Sequence, residues 1–277
     1  MNIYIYTNYN LYIMQFITND IKSYSNNTSN IYTIGNVTHT VSSNLIFDKP
    51  IPMTCKKYLE DLYKCLKYVV NFLEKHKISY CLESGSLLGC IRHNGFIPWD
   101  NDIDIMIFNT GYFKLLTLIY EFNNNNLHIS LQHSIPGYKI YYKNKTQGEL
   151  FVYDYDKIQN LYRQSFPYIN DKPTFKTGDI YYPNQIFSGH CLFPFKRMLF
   201  EDIYINIPNN YNLVLNIIYN NSNLLECKYS GEKNSQYESV SKPHYVLLGY
   251  IDKLLLSNKK NTAAYDILHN TINALQK

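Results

Sequence analysis

Residues 96–108, FIPWDNDIDIMIF, limit what this chain can fold into more than any other stretch. Side chains alternate across a strand, so Ile103, Ile105 and Ile107 share one face while Asp102, Asp104 and Met106 share the other. The isoleucine face requires a core to bury it, and the other face begins with two carboxylates. With α-carbons about 6–7 Å apart on a strand, Asp102 and Asp104 can direct their oxygens at one or two Mg²⁺ or Mn²⁺ ions. Phosphoryl-type transfer uses such a pair, because the metal bridges phosphate oxygens, neutralises their charge and aligns the attack.

Upstream, Leu59, Leu62, Leu66, Val69, Val70 and Leu73 recur at spacings of three and four. That is the stripe of an amphipathic helix packing one face on a core. Thr54 is its expected N-cap and the neighbourhood of His76 its expected end. Residues 78–82 read as a short strand running into ESGSLLG, where Gly85 and Gly89 bracket a tight turn and a short helical piece. Downstream, 112–122 reads as a helix and 127–132, 138–142 and 149–153 as strands, joined through Pro136-Gly137 and Asn144. This order predicts an α+β chain, a mixed sheet flanked by helices. Residues 165–190, rich in Pro, Gly and Tyr, read as a long ordered loop or lid, and 211–219, 245–256 and 263–275 as C-terminal helices. Residues 1–50, which include the loop-like SYSNNTSN, are set apart as an N-terminal extension to a domain over 51–277.

Composition narrows the function classes. A chain of 277 residues, 45% hydrophobic and 17% charged, can bury a full core in one large domain. Its formal net charge of +4 comes without a dense Lys/Arg run, which suits an anionic small substrate and offers no stripe for nucleic acid. The 29 tyrosines accompany frequent Asn, Ile and Lys, as AT-rich codons dictate, so no tyrosine is singled out. The six cysteines (55, 65, 81, 90, 191, 227) contain no CxxC pair, which argues against a zinc ribbon or a dense disulfide framework and makes a reducing compartment the default. Asn-x-Ser/Thr triplets, as at Asn36 and Asn144, arise by chance in an Asn-rich chain. No run reaches 18 apolar residues, and the first 22 residues lack the charge pattern of a signal peptide; the expectation is no transmembrane segment and, by default, the cytoplasm.

A DxD pair alone is common in exposed turns. Here GSLLGCIRHNGFIPWDNDIDIMI puts a Gly-Ser turn, an arginine and the acidic strand in fixed order. Gly85 and Ser86 can present backbone N–H groups and a hydroxyl to a phosphate at a helix start, and Arg92 can pair with a phosphate bidentately. His93, His190 and Trp99 read as packing or hydrogen-bonding residues.

The segment from Tyr80 to Ile107, with GSLLGCIRHNGFIPWDNDIDI at its core, strongly resembles the LicD family, which includes bacterial phosphocholine transferases and the eukaryotic fukutin and fukutin-related proteins. HCLFPFKRMLFEDIYINIPNNY, at 190–211, is similar to a later block of that family. The resemblance implies a nucleotidyltransferase-like fold with a Gly-Ser turn, an acidic strand and a third carboxylate on a neighbouring strand. Carried over by position, it makes Gly85, Ser86 and Arg92 contacts to the donor phosphate and Asp102 and Asp104 the metal pair, with Asp100 beside them in the acidic run. Asn101 stands where members often carry a further acid, which lowers the local charge. The third carboxylate falls on Glu149 in GELFVYD, with Asp154 and Asp156 as alternatives; it would bind metal or accept a proton from the acceptor hydroxyl. No Cys/His spacing matches the zinc site of fukutin-related protein, and no structural zinc is expected.

These features together predict a metal-dependent transferase moving a phospho-alcohol, phosphocholine or a phospho-polyol, from a CDP-linked donor to a glycan hydroxyl. The resemblance supplies the donor class; the residues supply metal, phosphate and an activated hydroxyl. The alternatives are nucleotidyl transfer to a small acceptor and a non-catalytic glycan-binding or scaffold protein of the same fold. A nucleic-acid binder ranks behind both.

Overall fold

The structure, a computed structural model, describes residues 54, 56–134, 137–164, 185–220 and 224–227, with the backbone of a few short strands outside these ranges. The helices expected at 245–256 and 263–275 lie outside the described residues, as does most of the 165–190 segment.

Helix α1, Lys56–Lys75, buries Leu59, Leu62, Leu66, Val69, Val70 and Leu73, as their spacing requires. It closes when Lys77 turns to φ +52°, the Ile78 amide donates to the Leu73 carbonyl and the Lys77 amide to that of Glu74. This double closure satisfies carbonyls that the helix end would leave bare. Thr54 does not cap the helix as expected. Its hydroxyl donates instead to the carbonyl of Asp100, 46 residues away, at 2.7 Å.

Strand β1, Tyr80–Leu82, leads into α2, Ser84–His93, a full ten-residue helix where the sequence suggested only a short piece. Strand β2, Ile103–Phe108, is followed at once by α3, Asn109–Asn123, then by β3, Ile129–Ser134, β4, Gly137–Tyr142, and the long β5, Lys145–Asp156. β6 is Leu161–Gln164, β7 is Ile186–Ser188 and α4 is the short Gly189–Leu192. A hairpin of β8, Lys196–Phe200, and β9, Ile203–Ile207, precedes α5, Tyr211–Ile218, which Asn210 caps by accepting the Leu213 amide. Among the described residues, no helix is long and apolar enough to cross a membrane.

Seven strands make one mixed sheet in the order β7-β6-β5-β2-β1, with β4 also on β5 and β3 on β4. β5 runs parallel to β2 along one edge. Its other edge pairs antiparallel first with β4 and then, from Tyr153, with β6. One strand handing its edge from one partner to another curls the sheet. The fold is therefore α+β, a curled mixed sheet flanked by helices, as the element order predicts. The parallel β2–β5 pair needs a long connection, which α3 and the β3–β4 hairpin supply.

Two details of β2 differ from the alternation pattern. The strand begins at Ile103, so Asp102 stands one residue ahead of it. Its acidic face is not open along its length either, since Met106 and Phe108 are buried, and only Asp104 is partly exposed. Gly148 lets β5 close on β2 there: at φ +153°, a Cβ would lie 2.2 Å from the Ile103 carbonyl oxygen.

Candidate active site

The site forms where β1 ends, α2 begins and β2 starts. The Glu83 amide bonds to the Asp104 carbonyl at 3.1 Å, extending the β1–β2 pairing by one residue. The chain then turns sharply through Ser84, held at φ +44°, a conformation costly for a residue with a side chain. The turn delivers Gly85, whose amide donates to Asp104 Oδ2 at 2.9 Å, and Ser86, whose Oγ accepts the Asp104 amide at 2.9 Å. Gly85 is required by space, because a Cβ there would sit 2.5 Å from Asp100 Oδ2 and 3.2 Å from Asp104 Oδ2. Both residues expected at a phosphate are thus directed at Asp104 in this structure, fixing its main chain and carboxylate.

Asp100, Asp102 and Asp104 are half-buried here. Desolvation, reinforced by the Asp102 charge and by a hydrogen bond between their carboxyls, raises Asp100 well above the usual carboxylate range. Desolvation, then Asp102, Asp100 and Glu83, raise Asp104 in the same direction. Crowded, desolvated carboxyls disfavour their own negative charge, and a bound cation would relieve that cost. Oxygen-only donors crowded to mutual repulsion fit a hard divalent ion such as Mg²⁺ or Mn²⁺. Among the described residues, no three Asp, Glu, His or Cys side chains already close around one point at metal spacing. An ion held by the aspartates would draw further ligands from water or from a substrate phosphate.

The parallel register places Glu149 directly beside Asp104, on the same face of the neighbouring strand. Lys139, opposite it on β4, brings its Nζ to 3.4 Å from Glu149 Oε1. The two alternatives stand elsewhere. Asp154 is buried and accepts from Asn109 Nδ2 at 3.2 Å and from the Tyr155 amide. Asp156 accepts the Ile158 and Gln159 amides and pairs with Arg163, the work of a turn residue.

A fourth carboxylate went unforeseen. Glu83, 1% exposed, ends β1 beneath the turn, and its Oε2 has no hydrogen-bond partner. The Tyr153 hydroxyl lies 2.5 Å from its Oε1 and 2.8 Å from Gln185 Oε1. The phenol donates to the Glu83 carboxyl and also faces the Gln185 side chain, so Tyr153 ties the end of β1 to the residue that precedes β7. Burial pushes the Glu83 carboxyl up to about 8; the Tyr153 hydroxyl opposes this and Glu149 adds to it. The signal available in the sequence was an acid ending a wholly apolar strand, YCLE, immediately before the Gly-Ser turn.

Arg92 lies in the last turn of α2. Its Nε donates to His93 Nε2 at 2.9 Å, its Nη1 to the Leu224 carbonyl at 2.9 Å, and its guanidinium stacks 5.5 Å from the Trp99 ring centroid. From there its charge still acts on Asp100, lowering it. Trp99 is buried and packs edge-on against His93, the structural role expected of both. Tyr219, following α5, also faces the cluster: burial, then Asp104 and Asp100, raise its phenol.

Comparison with known proteins gives the same segment. Residues 77–210 match the family model described as LicD/FKTN/FKRP, nucleotidyltransferase domain. The chain is 30% identical over 149 residues to an uncharacterised protein of Rickettsia prowazekii, covering 54% of this chain and 50% of that one. It is 43% identical over 56 residues to the lipopolysaccharide cholinephosphotransferase LicD of Haemophilus influenzae, covering 20% of this chain and 21% of that enzyme. It is 28% identical over 164 residues to the human ribitol 5-phosphate transferase FKRP, covering 57% of this chain and 31% of that protein. The chain thus spans half or less of the length of each of these relatives.

Proposed function

We propose, from the premise that this chain belongs to the LicD/FKTN/FKRP family through residues 77–210, that it transfers a phospho-alcohol to a glycan hydroxyl. The observation that carries the proposal is Asp104 held by the Gly85–Ser86 turn, with Glu149 in register beside it and the charges of Asp102 and Asp100 acting on it. The relatives named for their activity move phosphocholine or ribitol 5-phosphate. Both groups are phosphate esters of an alcohol, which a CDP-linked donor would carry, and the superfamily reading is a nucleotidyltransferase centre.

Asp102 and Asp104, with Asp100 beside them, would hold a divalent ion, which would neutralise charge on the transferring phosphate. The Gly85 and Ser86 bonds hold Asp104 in place for it. The Ser86 hydroxyl, already accepting the Asp104 amide, keeps its own proton free to donate to a phosphate oxygen. Arg92, behind Asp100, offsets the negative charge on that side of the site. Glu149 accepts the proton of the acceptor hydroxyl as its oxygen bonds to phosphorus, and the bond to the nucleoside monophosphate breaks.

Isothermal titration of CDP-choline, CDP-ribitol, CDP-glycerol and CTP tests the donor class, using wild type and the Asp102→Ala/Asp104→Ala variant, with Mn²⁺ or with EDTA. One CDP-alcohol is expected to bind wild type only with metal and the variant not at all. If none binds under any condition, a non-catalytic glycan-binding protein becomes the better account.

A further inference from the structure

The acidic loop ahead of β2 is anchored from outside the matched domain. Three of its carbonyls, within four consecutive residues, accept hydrogen bonds from the start of α1. The Thr54 amide donates to the Pro98 carbonyl at 2.9 Å, the Thr54 hydroxyl to that of Asp100 at 2.7 Å, and the Tyr58 hydroxyl to that of Asn101 at 3.0 Å. Carbonyls in a loop with no sheet partner need such acceptors' donors from elsewhere, and here they come from a single turn of chain.

The same tyrosine reaches the other acidic strand. Gln147, the bulged residue of β5 two positions before Glu149, is buried, and its side chain acts on the Tyr58 phenol. The tyrosine that holds the loop bearing Asp100 and Asp102 therefore also faces the strand bearing Glu149. Burial and the Asp102 charge push the Tyr58 phenol up to about 12, so it remains a donor throughout the neutral range.

We infer that Thr54 and Tyr58 are positioning residues of the active site: they hold the Pro98–Asn101 backbone, and with it the aspartates, in place ahead of β2. The inference rests on the metal reading above. It extends the working unit upstream of residue 77, into a helix whose amphipathic stripe explains only its packing. Hydrogen bonds that orient ligands from behind set metal affinity as well as geometry, and their loss costs about 10–100-fold in binding.

Mn²⁺ binding to the full chain, followed by electron paramagnetic resonance, tests this in Tyr58→Phe and Thr54→Val. Tyr68→Phe is the control, since Tyr68 lies on the same helix and donates to the Phe122 carbonyl at 2.6 Å, removed from the aspartates. A merely structural role would make the three variants alike. The expected result is Mn²⁺ affinity lowered about tenfold in Tyr58→Phe and Thr54→Val, and unchanged in Tyr68→Phe. Affinity within twofold of wild type in the first two, or an equal loss in all three, overturns the inference while the metal reading stands. Absence of Mn²⁺ binding in wild type, or equal binding in Asp102→Ala/Asp104→Ala, overturns the metal reading and this inference with it.

Discussion

Asp104→Asn lowers phospho-alcohol transfer by at least about a thousandfold, or ~4 kcal/mol of barrier at 1.36 kcal/mol per tenfold, without unfolding the protein. The asparagine keeps an oxygen to accept the Gly85 amide and leaves the Ser86 bond to its own amide intact, so the turn survives. What it removes is one of the carboxylates that, on the proposed reading, would hold a metal at the donor phosphates. Burial and acidic neighbours raise Asp104, so a neutral amide also relieves the metal-free protein. Its melting temperature in EDTA is expected to equal or exceed that of wild type while turnover collapses. Turnover within tenfold of wild type removes Asp104 from the chemistry.

The second large effect is on stability. Glu83 titrates at an ordinary 4.5 when exposed and at about 8 when folded. Its folded value is the higher, so between the two the native state binds more protons than the unfolded chain. Stability therefore falls as pH rises from about 4.5 to about 8, and the contribution of Glu83 is fully present only below that window. Asp100 and Asp104, raised for the same reason, act in the same direction. Chemical denaturation in EDTA across pH 5 to 8 is expected to show this decline, and Mn²⁺, which on the proposed reading binds only the folded aspartates, to reverse part of it. Glu83→Gln should flatten the Glu83 part, because a neutral amide replaces the carboxyl in the same volume. A metal-free stability that rises with pH across this window would show that Glu83 is ionised in the fold.

The parts of this site that could be read in the sequence are those set by local periodicity. The three-and-four stripe defines α1, and alternation within DNDIDIMI gives the isoleucine face and its acidic neighbour. The same parity separates the candidates for the third carboxylate. Asp154 and Asp156 stand five and seven residues from Glu149, odd spacings that turn them to the opposite face of β5. Pairing across strands is different, since nothing local states which residue lies beside Asp104; the family resemblance implied an acid on a neighbouring strand, and the β2–β5 ladder puts Glu149 in register with Asp104.

What remained hidden depends on long-range closure. Thr54 reads as a helix cap because threonine favours that position, yet its hydroxyl is used 46 residues away, on the acidic loop. Glu83 reads as a polar residue at a strand end, and only its burial against Tyr153 and Gln185 shows otherwise. Gly85 and Ser86 were expected at the phosphate, but in the structure they first build Asp104. The strain at Ser84 likewise has no signature in residue type, since the left-handed turn is ordinarily given to glycine.

Phosphorus NMR of each CDP-alcohol incubated with wild-type protein, Mg²⁺ and a glycan acceptor follows which donor bond, if any, is broken. The account predicts release of CMP and a new phosphodiester signal on the glycan, both absent with Asp102→Ala/Asp104→Ala. Release of the free phospho-alcohol, with the nucleotide on the acceptor, would contradict phospho-alcohol transfer in favour of nucleotidyl transfer, and an unchanged donor with every CDP-alcohol would contradict a catalytic role for the site.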